Sequence, residues 1–402
     1  MKKFIETIRN IYNIEELRKR IGYTILLVLV YRLGSFILLP GLDPEVLKGG
    51  ISGTQEGLVG LLNMFSGGAF GNASIFALGV MPYISASIVV QLLTIAVPYF
   101  QKMSKEGESG HRKMNQITRY LTVAILLIQG PSYLANLNIQ MAQAGSALPP
   151  SFWYRVSSTI ILCAGSMFVM WLGERITDRG IGNGISFIIL IGIIARFPGA
   201  IVREFSLRMT GVSGGLIMFL LELVMLLVVI GLSVMLVQGT RKIPVQYAKK
   251  IQGRKTYGGN RSEIPLKVNT AGVMPIIFAM SLFQFPIIIS QLVGYSGTGF
   301  WGKFIAYLNQ SNWCNPNHWN YSIGLLVYVL LLIFFAYFYT SITFNPIEIA
   351  DNMKKQGGFI PGIRPGKPTS DYLTNILNYI IFIGACGLTI IGVLPIFFNG
   401  MF

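Results

Sequence analysis

Apolar residues in this chain come in long unbroken runs rather than at the spacing of a half-buried soluble helix. Nine runs stand out, at about 21–39, 73–98, 117–135, 154–173, 181–196, 215–238, 269–294, 322–344 and 372–398. Each approaches the ~20 residues a helix needs to cross a hydrocarbon core about 30 Å thick. Only helices or closed barrels satisfy the backbone inside lipid. The runs lack the two-residue alternation of barrel strands, so the pattern predicts an all-α polytopic membrane protein.

Residues 57–71, GLVGLLNMFSGGAFG, do not fit a crossing. The apolar part is one or two turns long and then breaks at Gly67, Gly68 and Gly71. Such a half-length element survives in a membrane only when buried in protein or lining a cavity. It reads as a re-entrant structural wedge or as a movable stopper in a pore.

Composition strengthens the membrane reading. Of 402 residues 52% are hydrophobic and 12% charged, against about 25% charged in a soluble domain. The net charge of +16 would suggest nucleic-acid binding in a soluble protein. Here the basic residues gather in alternate loops, 1–20, 99–116, 174–180, 239–268 and 345–371, which makes these loops and the N-terminus cytoplasmic. Residues 1–20 lack the apolar core of a signal peptide. Phe4, Ile5, Ile8, Ile11, Ile14 and Leu17 recur at three to four residues, which predicts an amphipathic surface helix.

Two segments repeat, LGVMPYISA at 78–86 and AGVMPIIFA at 271–279. They fall in the second and seventh runs. Two units of five spans would cross in opposite senses, and such inverted repeats commonly place a pathway at their interface. The expected units are 21–200 and 201–402. Pro82 and Pro275 remove backbone donors and are expected to bend both helices.

Two loops are long for simple connectors. In 239–268, IPVQYAKKI and EIPLKV flank a Gly258-Gly259-Asn260 turn signal, which predicts a protruding hairpin. The loop 345–371 carries the turn-rich FIPGIRPGKP. Both are expected to serve a partner.

Catalytic chemistry has little support. There is no Walker A loop for nucleotide hydrolysis. Cys163, Cys314 and Cys386 fit no zinc or redox spacing, and His111 and His318 stand apart. No metal or cofactor is implied. Arg32 and Glu222 lie deep in apolar runs, where an ionisable group is a functional candidate by default. A proton-coupled transporter would use them. The plainer reading is an arginine capping carbonyls and a glutamate paired with a neighbouring helix or subunit.

Several stretches together resemble the SecY family, the channel subunits of bacterial protein-export translocons. They are ASIFALGVMPYISASIVVQLLT (73–94), EGESGHRKMNQITRY (106–120), DRGIGNGISF (178–187), RKIPVQYAKK (241–250), EIPLKVNTAGVMPIIFA (263–279) and FNPIEIADNMKKQGGFIPGIRPG (344–366). The resemblance implies a channel of two inverted five-helix halves, with nine of ten spans in this chain and a short plug helix. The family has a tenth span and a cytoplasmic tail, and this chain stops at Phe402.

By motif position the resemblance implies a pore ring of Val80, Ile84, Ile185, Ile189, Ile277 and Ser281. Branched aliphatics at a constriction can gate by dewetting. It implies a plug around Leu58, Leu61, Leu62, Met64 and Phe65, and a lateral gate with polar residues Ser85, Gln129 and Asn269. Docking of a motor or ribosome would fall to Arg241, Lys242, Lys249, Lys250, Arg254, Lys255 and Arg364, a basic surface suited to phosphate and carboxylate. The partners implied are SecE and SecG, the SecA motor ATPase, the translating ribosome, signal peptides and nascent chains, the accessory factors YidC and SecDF, and the lipid bilayer. The bacterial inner membrane would be the site. A secondary transporter would instead need a polar mid-membrane site, and a poreless scaffold or insertase gives no reason for the segment 57–71.

Overall fold

The computed structural model describes residues 13–42, 63, 66–143, 149, 151–209, 215–247, 250–252, 255–257, 261–293, 299–309, 313 and 319–401. The chain divides into two compact units, Met1–Leu207 with Gln284–Gly302 and Arg208–Phe283 with Lys303–Phe402.

The first unit is built on α1 (Glu15–Gly34), α2 (Met81–Ala96), α3 (Pro98–Lys105), α4 (Glu108–Gln143), α5 (Phe152–Arg179) and α6 (Gly184–Met209). Of the expected surface helix 1–20 the described part begins at Asn13, which is helical and is divided from α1 by the extended Ile14, at φ −84° and ψ 104°. From Glu15 the chain is already in α1, where Lys19 pairs with Glu15 and Arg20 with Glu16 one turn apart. The segment 66–80 is a series of turns. It is tied to the end of α1 by an isolated bridge between Leu38 and Ser74. The Leu39 amide donates to the Ala73 carbonyl at 3.0 Å, and the Ile75 amide to the Ile37 carbonyl at 3.0 Å. A buried cluster of Leu39, Ala73, Leu126, Leu134, Leu137 and Leu162 packs these turns against α4 and α5.

In the second unit α7 (Gly215–Gln238) leads into β1 (Thr240–Tyr247), β2 (Lys250–Gln252), β3 (Lys255–Tyr257) and β4 (Arg261–Lys267). There follow α8 (Met274–Val293), α9 (Phe300–Leu308), α10 (Ser322–Thr343), α11 (Pro346–Lys355), β5 (Gly358–Phe359) and α12 (Lys367–Met401). Residues 284–293 of α8 and 300–302 of α9 belong to the first unit.

Every predicted run is helical over most of its described length. By length and apolarity six helices could cross a membrane among the described residues, those built on α4, α5, α6, α7, α10 and α12. A seventh is added if α2 and α3, bent by 101° at Val97, form one broken span. Helix α1 opens with Glu15, Glu16, Arg18, Lys19 and Arg20, so only its later turns are apolar.

The second and seventh runs start late. Helix α2 begins at Met81 rather than near 73, and α8 at Met274 rather than 269. The cause is shared. Gly79 and Gly272 sit at φ 54° and 62°, left-handed values that end any continuous helix and that glycine adopts without penalty. Each is followed by a valine and then by Met81-Pro82 or Met274-Pro275 opening a helix. The repeated Gly-Val-Met-Pro is thus one local device used twice. Pro82 and Pro275 were expected to bend their helices. They stand instead in the first turn, where a missing N–H costs nothing and the fixed φ favours helix.

Candidate functional site

The segment that returns from the half-length element is held by side chains of α1 and α4 and lies against the backbone of α6. Tyr31 of α1 donates its hydroxyl to the Ser66 carbonyl at 3.1 Å. Its neighbour Arg32 donates from Nη1 to the Gly67 carbonyl at 3.1 Å. Tyr133 of α4 donates to the Phe70 carbonyl at 2.7 Å, and the two rings meet edge to face at 4.7 Å. From α6, Gly192 lies so close that a Cβ added to Gly67 would be 2.9 Å from the Gly192 Cα.

The segment also closes on itself. Asn63 accepts the Gly68 amide on its carbonyl and the Gly71 amide on Oδ1, both at 2.8 Å. Ser66 Oγ accepts from the Phe70 amide at 3.0 Å. Buried non-helical backbone needs such partners, because no water replaces them. The result is a rigid knot at one end of the re-entrant element. The plug residues Leu58, Leu61, Leu62, Met64 and Phe65 lie outside the described residues.

The six ring candidates form three pairs, each one helical turn apart and so on one face of its helix. In the first unit Val80 caps α2 and is followed by Ile84, both buried. Ile185 and Ile189 of α6 are half-buried. Ile185 packs on α5, since a Cβ on Gly173 would stand 2.8 Å from its Cγ1. In the second unit Ile277 is half-buried, while Ser281 is buried with its hydroxyl unpaired among the described residues.

Of the gate candidates, Ser85 is buried on α2 and Gln129 half-buried on α4. Asn269, expected in the seventh span, stands before α8 in the turn that follows β4. Its backbone lies against α12 at Gly384. The turn is set locally, with Thr270 Oγ1 donating to the Lys267 carbonyl at 2.8 Å.

The loop 239–268 is a hairpin, as its pattern predicts. Strand β1 pairs antiparallel with β4 from Thr240↔Lys267 to Gln246↔Arg261. Beyond that ladder β2 pairs antiparallel with β3, from Lys250↔Tyr257 to Gln252↔Lys255, and the turn signal Gly258–Asn260 lies outside the described residues. The second long loop joins the same sheet. Strand β5 pairs with β1 at Gln246↔Phe359 and Tyr247↔Gly358, giving the order β4-β1-β5. Ile243, Val245, Leu266, Met353, Ile360, Leu373, Ile376 and Ile380 form a core beneath it on α12.

Arg241 and Lys242 are exposed at the root of β1, with Lys242 3.0 Å from Glu263 across the sheet. Arg364 is exposed in the turn before α12, and its carbonyl accepts from Thr369 Oγ1 at 2.8 Å. Lys250 and Lys255 have their backbones in β2 and β3. Lys249 and Arg254 lie outside the described residues.

The two deep charges find partners. Arg32 caps a carbonyl, as above, with its guanidinium 5.5 Å from the Phe36 ring centre. Glu222 of α7 accepts from Arg208 Nη2 at the end of α6. Sequence reasoning missed the anchors Tyr31, Tyr133, Asn63 and Ser66. It also missed a bidentate pair between α4 and α5, in which Arg119 donates to Glu174 at 2.6 and 3.2 Å. The polar cluster Asn63-x-x-Ser66-Gly67-Gly68 inside an apolar stretch was the available signal for a self-bonded turn.

A family profile described as SecY matches residues 74–402. The protein translocase subunit SecY of Streptomyces scabiei is 45% identical over 389 residues, covering 94% of this chain and 86% of the relative. That of Halalkalibacterium halodurans is 44% identical over 399 residues, covering 98% and 89%. Among solved structures, one described as a protein conducting channel superposes with a TM-score of 0.66 at 17% identity, covering 96% of this chain and 86% of its own. Sec61 in a canine ribosome-channel complex gives 0.62 at 15%, covering 96% and 91%. Those two likenesses carry the fold, and the sequence matches carry the lineage: the chain belongs to the SecY family.

Proposed function

We propose that this chain is the central protein-conducting channel of a bacterial export translocon. It passes unfolded secretory chains across the inner membrane and releases membrane-protein segments sideways into lipid. The observation that carries the reading is the turn segment 66–80. It is wedged among helices of the first unit by hydrogen bonds to its backbone, and it ends one side of a half-length apolar element. A pump or carrier has no use for such a stopper, whereas a wide pore at rest needs one.

On this reading Val80, Ile84, Ile185, Ile189, Ile277 and Ser281 line the constriction. An aliphatic ring excludes water without binding any one sequence, which suits cargo of varied composition. Leu58, Leu61, Leu62, Met64 and Phe65 seal it from one side. Ser85, Gln129 and Asn269 belong to the side opening, where interhelical polar contacts of roughly 0.6–2 kcal/mol can break and reform.

The basic loops face the cytoplasm together with the N-terminus, in keeping with the positive-inside rule. They receive SecA or the ribosome, whose carboxylates and phosphates complement Arg241, Lys242 and Arg364. SecE and SecG complete the assembly, signal peptides and nascent chains are its ligands, and YidC and SecDF act alongside. Energy comes from these partners or from the proton gradient.

Reconstitution of the full translocon with SecA, ATP and a signal-bearing precursor tests the proposal. Protease-protected precursor is the expected result. Uptake of a small solute with no precursor protected would refute it in favour of a transporter.

A further inference from the structure

Helix α5 carries an exposed stripe along most of its length. Trp153, Ser157, Ile160, Ala164, Phe168 and Trp171 follow one another at three- and four-residue intervals, share a face and are all exposed. The ends of the stripe differ from its middle. Trp153 and Trp171 are 77% and 43% exposed, and the rise along the helix from one to the other is about 27 Å at ~1.5 Å per residue. That is close to the ~30 Å of a hydrocarbon core. Tryptophan favours the two membrane–water interfaces, so the pair marks where α5 enters and leaves lipid.

Arg175 continues the stripe one turn beyond Trp171. Side chains on a helix lean toward its N-terminus. At this end of α5 the guanidinium therefore leans back toward lipid instead of out to water. Its Cζ lies 5.4 Å from the centre of the Trp171 ring. The ring covers one face of the cation and accepts none of its five in-plane N–H donors. No carboxylate takes them among the described residues. Glu174 is bonded to Arg119 of α4, and Asp178 pairs with neither Arg175 nor the exposed Arg179 one turn further on. A cation at this depth is best satisfied by an anion that belongs to the interface itself.

We propose that Trp171, Arg175 and Arg179 hold the phosphate of an anionic phospholipid in the cytoplasmic leaflet, with its acyl chains lying along Phe168, Ala164 and Ile160. The two are complementary at both ends. A phosphodiester accepts the paired donors of a guanidinium, and the chains fill the shallow run that Ala164 leaves between Ile160 and Phe168. The cytoplasmic side follows from the basic loop 174–180. A partner helix laid on the same stripe would bury Arg175 against apolar side chains, which is costly. The inference needs α5 to cross a membrane and is independent of what the protein carries.

The test uses the complete translocon in phosphatidylcholine vesicles with a minor fraction of phosphatidylglycerol, the acyl chains of one lipid or the other being brominated. Quenching of Trp171 is read as the wild-type signal minus that of Trp171→Phe. Mole for mole, brominated phosphatidylglycerol should quench it about fivefold more than brominated phosphatidylcholine, the preference expected of one arginine near an anionic surface. Arg175→Gln should bring the two lipids level. Arg155→Gln removes an exposed arginine from the opposite end of α5 and should leave the preference intact. Inorganic phosphate should not compete, because it lacks the chains. Equal quenching by the two lipids in wild type, an equal loss in Arg155→Gln, or displacement by inorganic phosphate would overturn the site. Absence of quenching by either lipid would mean that a protein partner covers the stripe, which overturns it too. If Trp171→Phe fails to assemble, phosphatidylglycerol retained by wild type and by Arg175→Gln, counted by native mass spectrometry, decides: fewer bound lipids in the variant are expected, and equal counts refute the proposal.

Discussion

Gly165 offers a quantitative check on how rigidly the turn segment is seated. It lies within α5, and the Ile75 carbonyl occupies the space where a Cβ would go. The Ile75 carbonyl carbon would stand 3.0 Å away and Phe76 Cδ1 3.3 Å. The segment cannot easily retreat, because the Ile75 amide is bonded to Ile37 and Ala73 to Leu39. Gly165→Ala therefore overpacks a fixed backbone contact, which costs about 1–3 kcal/mol. Against this runs a gain of ~0.5–1 kcal/mol from replacing a helical glycine, so a net loss of up to about 2.5 kcal/mol remains, with the backbone contact placing it toward the upper end. Gly22 is the control. It is also helical, in α1, exposed, and has open space around it. Gly22→Ala keeps only the gain and should stabilise by ~0.5–1 kcal/mol. At about 2–4 °C per kcal/mol, thermal unfolding of the two purified complexes should separate by several degrees, with opposite signs about wild type. Movement of both variants in the same direction would refute the seating of Ile75 against α5.

Two further outcomes follow from the same unit. Tyr133→Phe keeps the edge contact with Phe70 and removes the 2.7 Å bond to its carbonyl; the orphaned acceptor should cost about 1–3 kcal/mol and speed amide exchange across 66–71, and unchanged exchange would count against the anchor. A double-mutant cycle on Arg119 and Glu174 should give a coupling of roughly 0.5–1 kcal/mol that shrinks in high salt, since the arginine is 48% exposed; coupling indifferent to salt would mean the pair is dry.

How much of this was legible depended on whether the signal was local. The helices were, because a run such as 215–238 has one stable form in lipid. So was the pairing of IPVQY with EIPLK, where alternation and a turn signal coincide. Helix starts were not, since Gly79 and Gly272 interrupt apolar runs that hydropathy reads as continuous; the positive φ was hidden in a motif noticed only for repeating. The anchors of the turn segment lie far from it in sequence, Tyr133 sixty-three residues from Phe70, and no local pattern announces such contacts. Arg32 was legible as an arginine in need of carbonyls, though not which ones. Arg196 stood at a predicted span edge, and only the fold brings it over Gly68.

The strand β5 carries a mechanical implication. Two rungs, Gln246↔Phe359 and Tyr247↔Gly358, rivet together loops that are distant in the chain. Their shared apolar underside is clamped to Leu373, Ile376 and Ile380. A force on β1 is shared through these rungs with the loop that carries β5 and reaches α12 through the core beneath them. Whatever leans on either loop turns the same crank.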